Sequence, residues 1–257
     1  MPCDKRVLAI LVAVLFAVLA GILAYAGSFY QLAASQVDSQ SPAETPNPAA
    51  QKPSQSETHT APEFLVMIDP AHGGDDRGAA LTEKLAEKDV TLLLARRLKT
   101  ELQEKGIAAR LLRDADTTLN LEQRAEIVNA QRGAVYLALH AGTPGGGIRV
   151  YSAALPSAPD AASRFLAWDE VQARYLARSR NLARVVAAEL GKKDLPVATL
   201  STPLRPLNNI AAPAIAVELA SEPQKAQEIL GQKFQGTVVA GITSALLQTK
   251  TQSERAE

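Results

Sequence analysis

Three short apolar runs, Phe64–Ile68, Ala134–Leu139 and Ala214–Val217, constrain the fold of this chain more than any other feature. Each is continuous rather than alternating, so each reads as a strand buried on both faces, as in the interior of an α/β sheet. The first should stop at Asp69-Pro70, because proline cannot continue a strand ladder. Between the runs the apolar spacing changes to three and four. From Glu87, the residues Val90, Leu93, Leu94, Leu98 and Leu102 mark an amphipathic helix that ends at Gly106. A short strand is expected over Ile107–Leu112, and a second helix from Asn120 with Leu121, Ala125, Ile127 and Val128 facing inward. Ile148–Tyr151 alternates like a further strand. Ala161–Leu190 reads as helical in one or two pieces, Lys192–Pro206 as loop, and Gln224–Leu247 as a last helix before a polar tail. Strand alternating with helix predicts an α/β fold with a largely parallel or mixed sheet covered on both faces.

The residues ahead of Phe64 have a different character. Val7–Ala26 carries no charge over roughly twenty residues, the length of a membrane-spanning helix. Lys5 and Arg6 precede it and the next basic residue is Lys52, so the positive-inside bias leaves a short stub in the cytoplasm and puts the rest outside. The alternative is a signal peptide cleaved after Ala26, since Ala24-Tyr25-Ala26 has the form of a cleavage site. Both readings export the remainder of the chain. Residues 31–62 are rich in Ala, Ser, Gln and Pro and poor in large apolar side chains, which predicts a disordered linker, extended by its prolines. His59 falls in it and reads as solvated. The expected organisation is 1–30 stub and transmembrane anchor, 31–62 linker, 63–248 globular domain and 249–257 tail.

Charge and cysteine content narrow the chemistry. Lys+Arg and Asp+Glu both total 27, so no phosphate-tracking surface is indicated and nucleic acid is not an expected partner. The single Cys3 offers neither a disulfide nor a thiolate metal site. The strand-like runs instead end in residues able to hold a cation or move a proton. His72 follows the first on a glycine-flanked turn, His140 closes the second and Glu218 follows the third, with Glu87 at a helix start. Parallel strands deliver their carboxyl ends to one edge of a sheet, where such residues can converge. Two imidazoles and a carboxylate suit zinc with one coordination position open to water, and a further carboxylate suits a general base. No H-E-x-x-H spacing is present, and on composition alone Glu83 could stand in for Glu87.

Five ordered blocks carry a resemblance. Ile68-Asp69-Pro70-Ala71-His72-Gly73-Gly74, Glu87-Lys88-Asp89-Val90, Arg113-Asp114-Ala115-Asp116 with Leu121-Glu122-Gln123-Arg124, Leu139-His140-Ala141, and Pro213-Ala214-Ile215-Ala216-Val217-Glu218 resemble the catalytic domain of the zinc-dependent N-acetylmuramoyl-L-alanine amidases of type 3. The resemblance spans about Phe64 to Leu247. It implies a mixed, mostly parallel sheet of about six strands between helices. It also implies a peptidoglycan hydrolase that cuts the amide between N-acetylmuramic acid and the L-alanine of the stem peptide. His72, Glu87 and His140 would hold Zn2+, and Glu218 would be the catalytic glutamate. Rival readings are a wall-binding or regulatory domain without turnover and a zinc peptidase acting within the stem peptide. The expected location is the cytoplasmic (inner) membrane, with the domain on the extracytoplasmic, periplasmic side. Expected partners are peptidoglycan and that membrane; the sequence specifies no activator protein.

Departures from the family pattern are Ala71 in place of the usual first glycine, Gly142 in place of a polar residue, and Leu219-Ala220-Ser221-Glu222-Pro223 after Glu218. The stretch 155–180, which holds Trp168, reads as an insert that forms a cleft wall or lid, or else a packed surface helix.

Overall fold

The three apolar runs become neighbouring strands of one sheet. The computed structural model describes residues 64–143, 145–155 and 168–255; the Val7–Ala26 segment, the linker and His59 lie outside the described residues. Among the described residues no helix is long and apolar enough to cross a membrane. The strands are β1 (Leu65–Pro70), β2 (Ala80–Thr82), β3 (Leu85–Ala86), β4 (Ala108–Leu111), β5 (Ala134–Gly142), β6 (Gly147–Ala153), β7 (Val197–Thr202) and β8 (Ala214–Ala220). Six of them form a mixed sheet in the order β4-β1-β5-β8-β6-β7, while β2 and β3 make a small antiparallel pair. β4, β1, β5 and β8 are mutually parallel; β6 runs antiparallel to β8, and β7 parallel to β6.

Alternate side chains of the central strands enter two separate cores, as a strand's period of two requires. Val66, Ile68, Leu137, Leu139, Ile215 and Val217 face the helices α1 (Glu87–Glu104), α3 (Leu176–Gly191) and α4 (Gln232–Glu254). Leu65, Met67, Tyr136, Ala138 and Ala216 face α2 (Leu121–Asn129) and the 3-10 turn Leu207–Asn209. Asn120 caps α2 as a reciprocal pair: its side chain accepts from the Gln123 amide at 2.8 Å and its own amide donates to the Gln123 side chain at 2.9 Å.

Several boundaries differ from the sequence expectation for identifiable reasons. β1 continues through Asp69 and Pro70, with Pro70 in register with Leu139. Proline is tolerated because only its carbonyl is used: it accepts from Arg113 Nε at 2.9 Å, and the next amide, that of Ala71, donates to the Leu139 carbonyl at 3.1 Å. The expected loop at Lys192–Pro206 contains β7, an edge strand whose exposed Ala-Thr-Leu-Ser composition hides its pairing. Leu121 is 41% exposed, and Arg124 takes the inward place on α2. The terminal helix is divided into a 3-10 stretch, Pro223–Leu230, and α4, which continues beyond Leu247.

Arg124 is 3% exposed, and its burial is explained by what it meets. Nη1 pairs with Asp69, itself 2% exposed, and Tyr136 Oη donates to the other Asp69 oxygen. Arg124 Nε donates to the Leu119 carbonyl at 3.1 Å and Nη2 to the His72 carbonyl at 2.8 Å. Arg113, also 3% exposed, donates to the carbonyls of Pro70, Ala71 and Lys88. A buried charge is tolerated only when its donors are met: Arg113 is satisfied by backbone carbonyls, and Arg124 is in addition paired with Asp69. Removing one partner strands the other. Arg124→Met is therefore expected to lower unfolding free energy by about 3–5 kcal/mol in a urea titration, with partial recovery in Arg124→Met/Asp69→Asn. A loss below about 1 kcal/mol would show that the pair contributes little.

Candidate metal centre

The site is assembled at the carboxyl edge of β1, β5 and β8. His72 follows β1 with a backbone φ of 63°, a left-handed conformation rare outside glycine. Its carbonyl is fixed by Arg124, and its Nδ1 lies 2.8 Å from Asp76 Oδ2, so the second ring nitrogen is aimed inward. That nitrogen, Nε2, is 3.0 Å from Glu87 Oε2.

Glu87 is the first residue of α1 and is 5% exposed. The β2–β3 pair sets where the helix begins: the Glu87 amide donates to the Ala79 carbonyl at 2.9 Å, and Oε2 accepts from the Ala79 amide at 2.9 Å. Oε1 accepts from the Ala141 amide at 3.1 Å and lies 2.9 Å from His140 Nδ1. Burial pushes the Glu87 carboxyl up, but hydrogen bonds with His140 and His72 outweigh it and hold the group well below the usual carboxylate range. The hydrogen bond to Glu87 likewise raises the His72 imidazole above its ordinary value, against burial. Gly78, at φ 65°, covers this pair; a Cβ there would lie 2.5 Å from His72 Cδ2 and 2.7 Å from Glu87 Oε2.

His72, Glu87 and His140 thus present one ligand atom each, all within 4.8 Å of one another. Two imidazole nitrogens and a carboxylate oxygen at that separation fit a zinc ion in donor type and in size. Glu83 is exposed and stands outside this cluster.

His140 and Glu218 lie within their strands rather than after them, because β5 and β8 each run three residues further than their apolar runs. They are register partners, and Arg149 of β6 is the antiparallel partner of Glu218 on its other side. One row across three strands therefore reads His140, Glu218, Arg149. Arg149 Nη1 donates to Glu218 Oε1 at 3.2 Å, and Tyr151 Oη donates to Oε2 at 2.6 Å. Burial and the Glu218 hydrogen bond push the Tyr151 phenol up to about 12, so it remains a donor at neutral pH.

Arg149, Tyr151 and Asp76 were not singled out from the sequence. The alternation of Ile148-Arg149-Val150-Tyr151 placed the first two on one face, but nothing in it revealed that the face looks onto Glu218.

The departures at Ala71 and Gly142 also acquire physical content. Ala71 needs no positive φ, and its carbonyl accepts from Arg113 and from Thr91 Oγ1 at 3.0 Å. A Cβ at Gly142 would lie 2.6 Å from Glu218 Oε1, so the missing side chain is the space this carboxylate uses. Beyond Glu218, Ser221, Glu222 and Lys225 line a cleft with Gly147, Ile229 and Phe234. Of the insert, residues 156–167 lie outside the described residues. Trp168–Tyr175 is a 3-10 helix in which Gln172, fully buried, donates to the carbonyls of Ile210 and Ala212, while Trp168 is 53% exposed.

The family profile described as N-acetylmuramoyl-L-alanine amidase matches residues 66–248. The germination-specific N-acetylmuramoyl-L-alanine amidase of Bacillus subtilis (strain 168) is 26% identical over 211 residues, which cover 73% of this chain and 80% of that protein. The N-acetylmuramoyl-L-alanine amidase AmiA of Salmonella typhimurium is 39% identical over 82 residues, 32% of this chain and only 28% of AmiA. Among solved structures, the N-acetylmuramoyl-L-alanine amidase AmiC2 of Nostoc punctiforme shares the fold with a TM-score of 0.59 at 24% identity, over 74% of this chain and 99% of that one. The profile match begins at the second residue of β1, ends within α4 and includes every side chain of the site, so the chain belongs to the type 3 N-acetylmuramoyl-L-alanine amidase family.

Proposed function

We propose that this protein is a peptidoglycan hydrolase that cleaves the amide between N-acetylmuramic acid and the L-alanine of the stem peptide, with zinc held by His72, Glu87 and His140 and with Glu218 as general base. The observation that carries this reading is the three-donor cluster within 4.8 Å, with a carboxylate in register with one of the donors. Neighbouring strands are about 4.8 Å apart, so the Glu218 backbone lies one strand width from that of His140. Zinc, when bound, supplies Lewis-acid polarisation of the amide carbonyl and a more acidic water.

The remaining work falls to the side chains. His72 and His140 present ring nitrogens whose direction is set by Asp76, Arg124 and strand β5. Glu87 offers a carboxylate already fixed by two backbone amides, so little reorganisation accompanies binding. Glu218 takes the proton of the attacking water and returns it to the leaving amine of L-alanine, which departs neutral. The cleft beyond β8 gives an extended substrate a place to continue past the base. We place the domain on the outer side of the cytoplasmic membrane, held there by the Val7–Ala26 segment; the support is the charge-free length of that segment and the basic pair before it.

Purified protein incubated with sacculi should release stem peptide bearing a free L-alanine amino group, an activity lost with chelator and restored by zinc. Products cut between stem amino acids would indicate a peptidase instead, and binding without release would indicate a silent domain. Glu218→Gln should keep zinc and lose about 10²–10⁴ in kcat, whereas His72→Ala should lose both metal and turnover. Elemental analysis beside the rate assay separates the two. Gly78→Ala should also lose zinc, because its methyl group would occupy space held by the His72 ring and the Glu87 carboxylate. Full zinc content in that variant would mean the loop relaxes freely.

A further inference from the structure

We propose that Arg149 and Tyr151 are positioning residues for proton transfer, a pair of donors on β6 that fixes the carboxylate of Glu218 in the orientation its role as base requires. The inference rests on the reading of Glu218 as base and concerns how that base is held.

A glutamate at the end of a row of strands has three side-chain torsions to fix, and a general base working on one water must hold all three. Displacement of about 1 Å can cost on the order of 100-fold in rate. Glu87 solves this problem with backbone amides, but no backbone donor to Glu218 is present among the described residues. Its two oxygens are met instead by two side chains of one strand, Arg149 at 3.2 Å and Tyr151 at 2.6 Å. Residues two apart on a strand share a face, so both donors arrive from the same side. The antiparallel register sets Arg149 opposite Glu218 and Tyr151 opposite Ala216, whose small side chain leaves the phenol room to reach along the strand. On the third side Gly142 keeps clear the place where a Cβ would meet Oε1 at 2.6 Å.

The clamp does not block the base. An ionised carboxylate has about four lone-pair sites, and two donors leave the others for the water's proton. Arg149 and Tyr151 differ in what they supply: a guanidinium gives charge and direction to one oxygen, and a neutral phenol gives a short bond to the other.

The experiment compares Tyr151→Phe, Arg149→Gln and Arg149→Lys in the full-length protein, with kcat, KM, zinc content and thermal midpoint measured together. Tyr151→Phe and Arg149→Gln should each lower kcat about 10-fold to 100-fold while KM, zinc content and thermal midpoint stay at wild-type values. Arg149→Lys should recover part of the rate. Placed on Glu218→Gln, Tyr151→Phe should cause no further loss, because the carboxylate it positions is gone; a merely structural role would still cost activity or stability there. Wild-type kcat in both single variants overturns the proposal. So does a rise in KM at unchanged kcat, which would make Arg149 a substrate-binding residue, and so does loss of zinc. Should Glu218→Gln itself turn over normally, the base assignment fails and this proposal falls with it, an outcome distinct from the others.

Discussion

The ion pair between Asp69 and Arg124 is the contact on which the site depends most. It joins the end of β1 to the inner face of α2, and Tyr136 closes it from β5, so three elements meet around one carboxylate with almost no exposure to water. At such a place a hydrophobic trio would pack with less desolvation cost, and a buried ion pair is weak evidence of stability by itself. What the ionic arrangement adds is direction. Arg124 has donors left after meeting Asp69, and one of them reaches the His72 carbonyl at 2.8 Å. A leucine at 124 could fill the space but could not hold that carbonyl, and the left-handed backbone of His72 would lose the bond that selects it. Arg113 extends the same logic to Pro70, Ala71 and Lys88, tying the loop before the imidazole to the first turn of α1.

Seen from the His72–Glu87–His140 cluster, the fold divides the task between rigid and adaptable parts. Glu87 is anchored to backbone on both oxygens, through Ala79 just ahead of β2 and Ala141 in β5. Its position is thus a by-product of how the hairpin and β5 are placed. His72 is oriented by the Asp76 side chain, and His140 by its place in β5. A carboxylate behind a ring nitrogen, as Asp76 stands behind His72 Nδ1, fixes the tautomer and makes the other nitrogen a better donor.

Much of this was legible in the sequence because parallel sheets write themselves as continuous apolar runs. Phe64–Ile68, Ala134–Leu139 and Ala214–Val217 each marked a central strand, and the residues just past them led to His72, His140 and Glu218. The order of strands was not legible, because register depends on contacts between elements far apart in the chain. Nor was β7, whose exposed edge needs no apolar pattern. Arg124 broke the expected inner face of α2: a buried arginine looks like a surface residue until its partner Asp69 is seen at the far end of β1. Choosing Glu87 over Glu83 needed the resemblance to a family; the structure supplies the physical difference, since one is enclosed by the two histidines and the other is exposed.

The antiparallel course of β6 is the feature that completes the site. In a wholly parallel sheet every strand would bring its carboxyl end to this edge, and each would leave the sheet there into a loop. β6 runs the other way, so the residues it delivers beside Glu218 come from its amino-terminal half, inside the ladder, with Gly147 already paired to Ala220 and Arg149 to Glu218 itself. Side chains in such a place inherit the stiffness of two neighbouring strands, which loop residues lack. The Gly145-Gly146-Gly147 turn makes the reversal: Gly145 and Gly147 have φ of 118° and 96°, and a Cβ at Gly145 would lie 2.5 Å from Arg149 Nη2. The glycines that turn the chain also leave room for the guanidinium. Reversal at β6, absence of side chains in the turn and the charged row on the sheet are therefore one structural solution. Each part serves to bring a cation and a phenol to a carboxylate one strand away from His140.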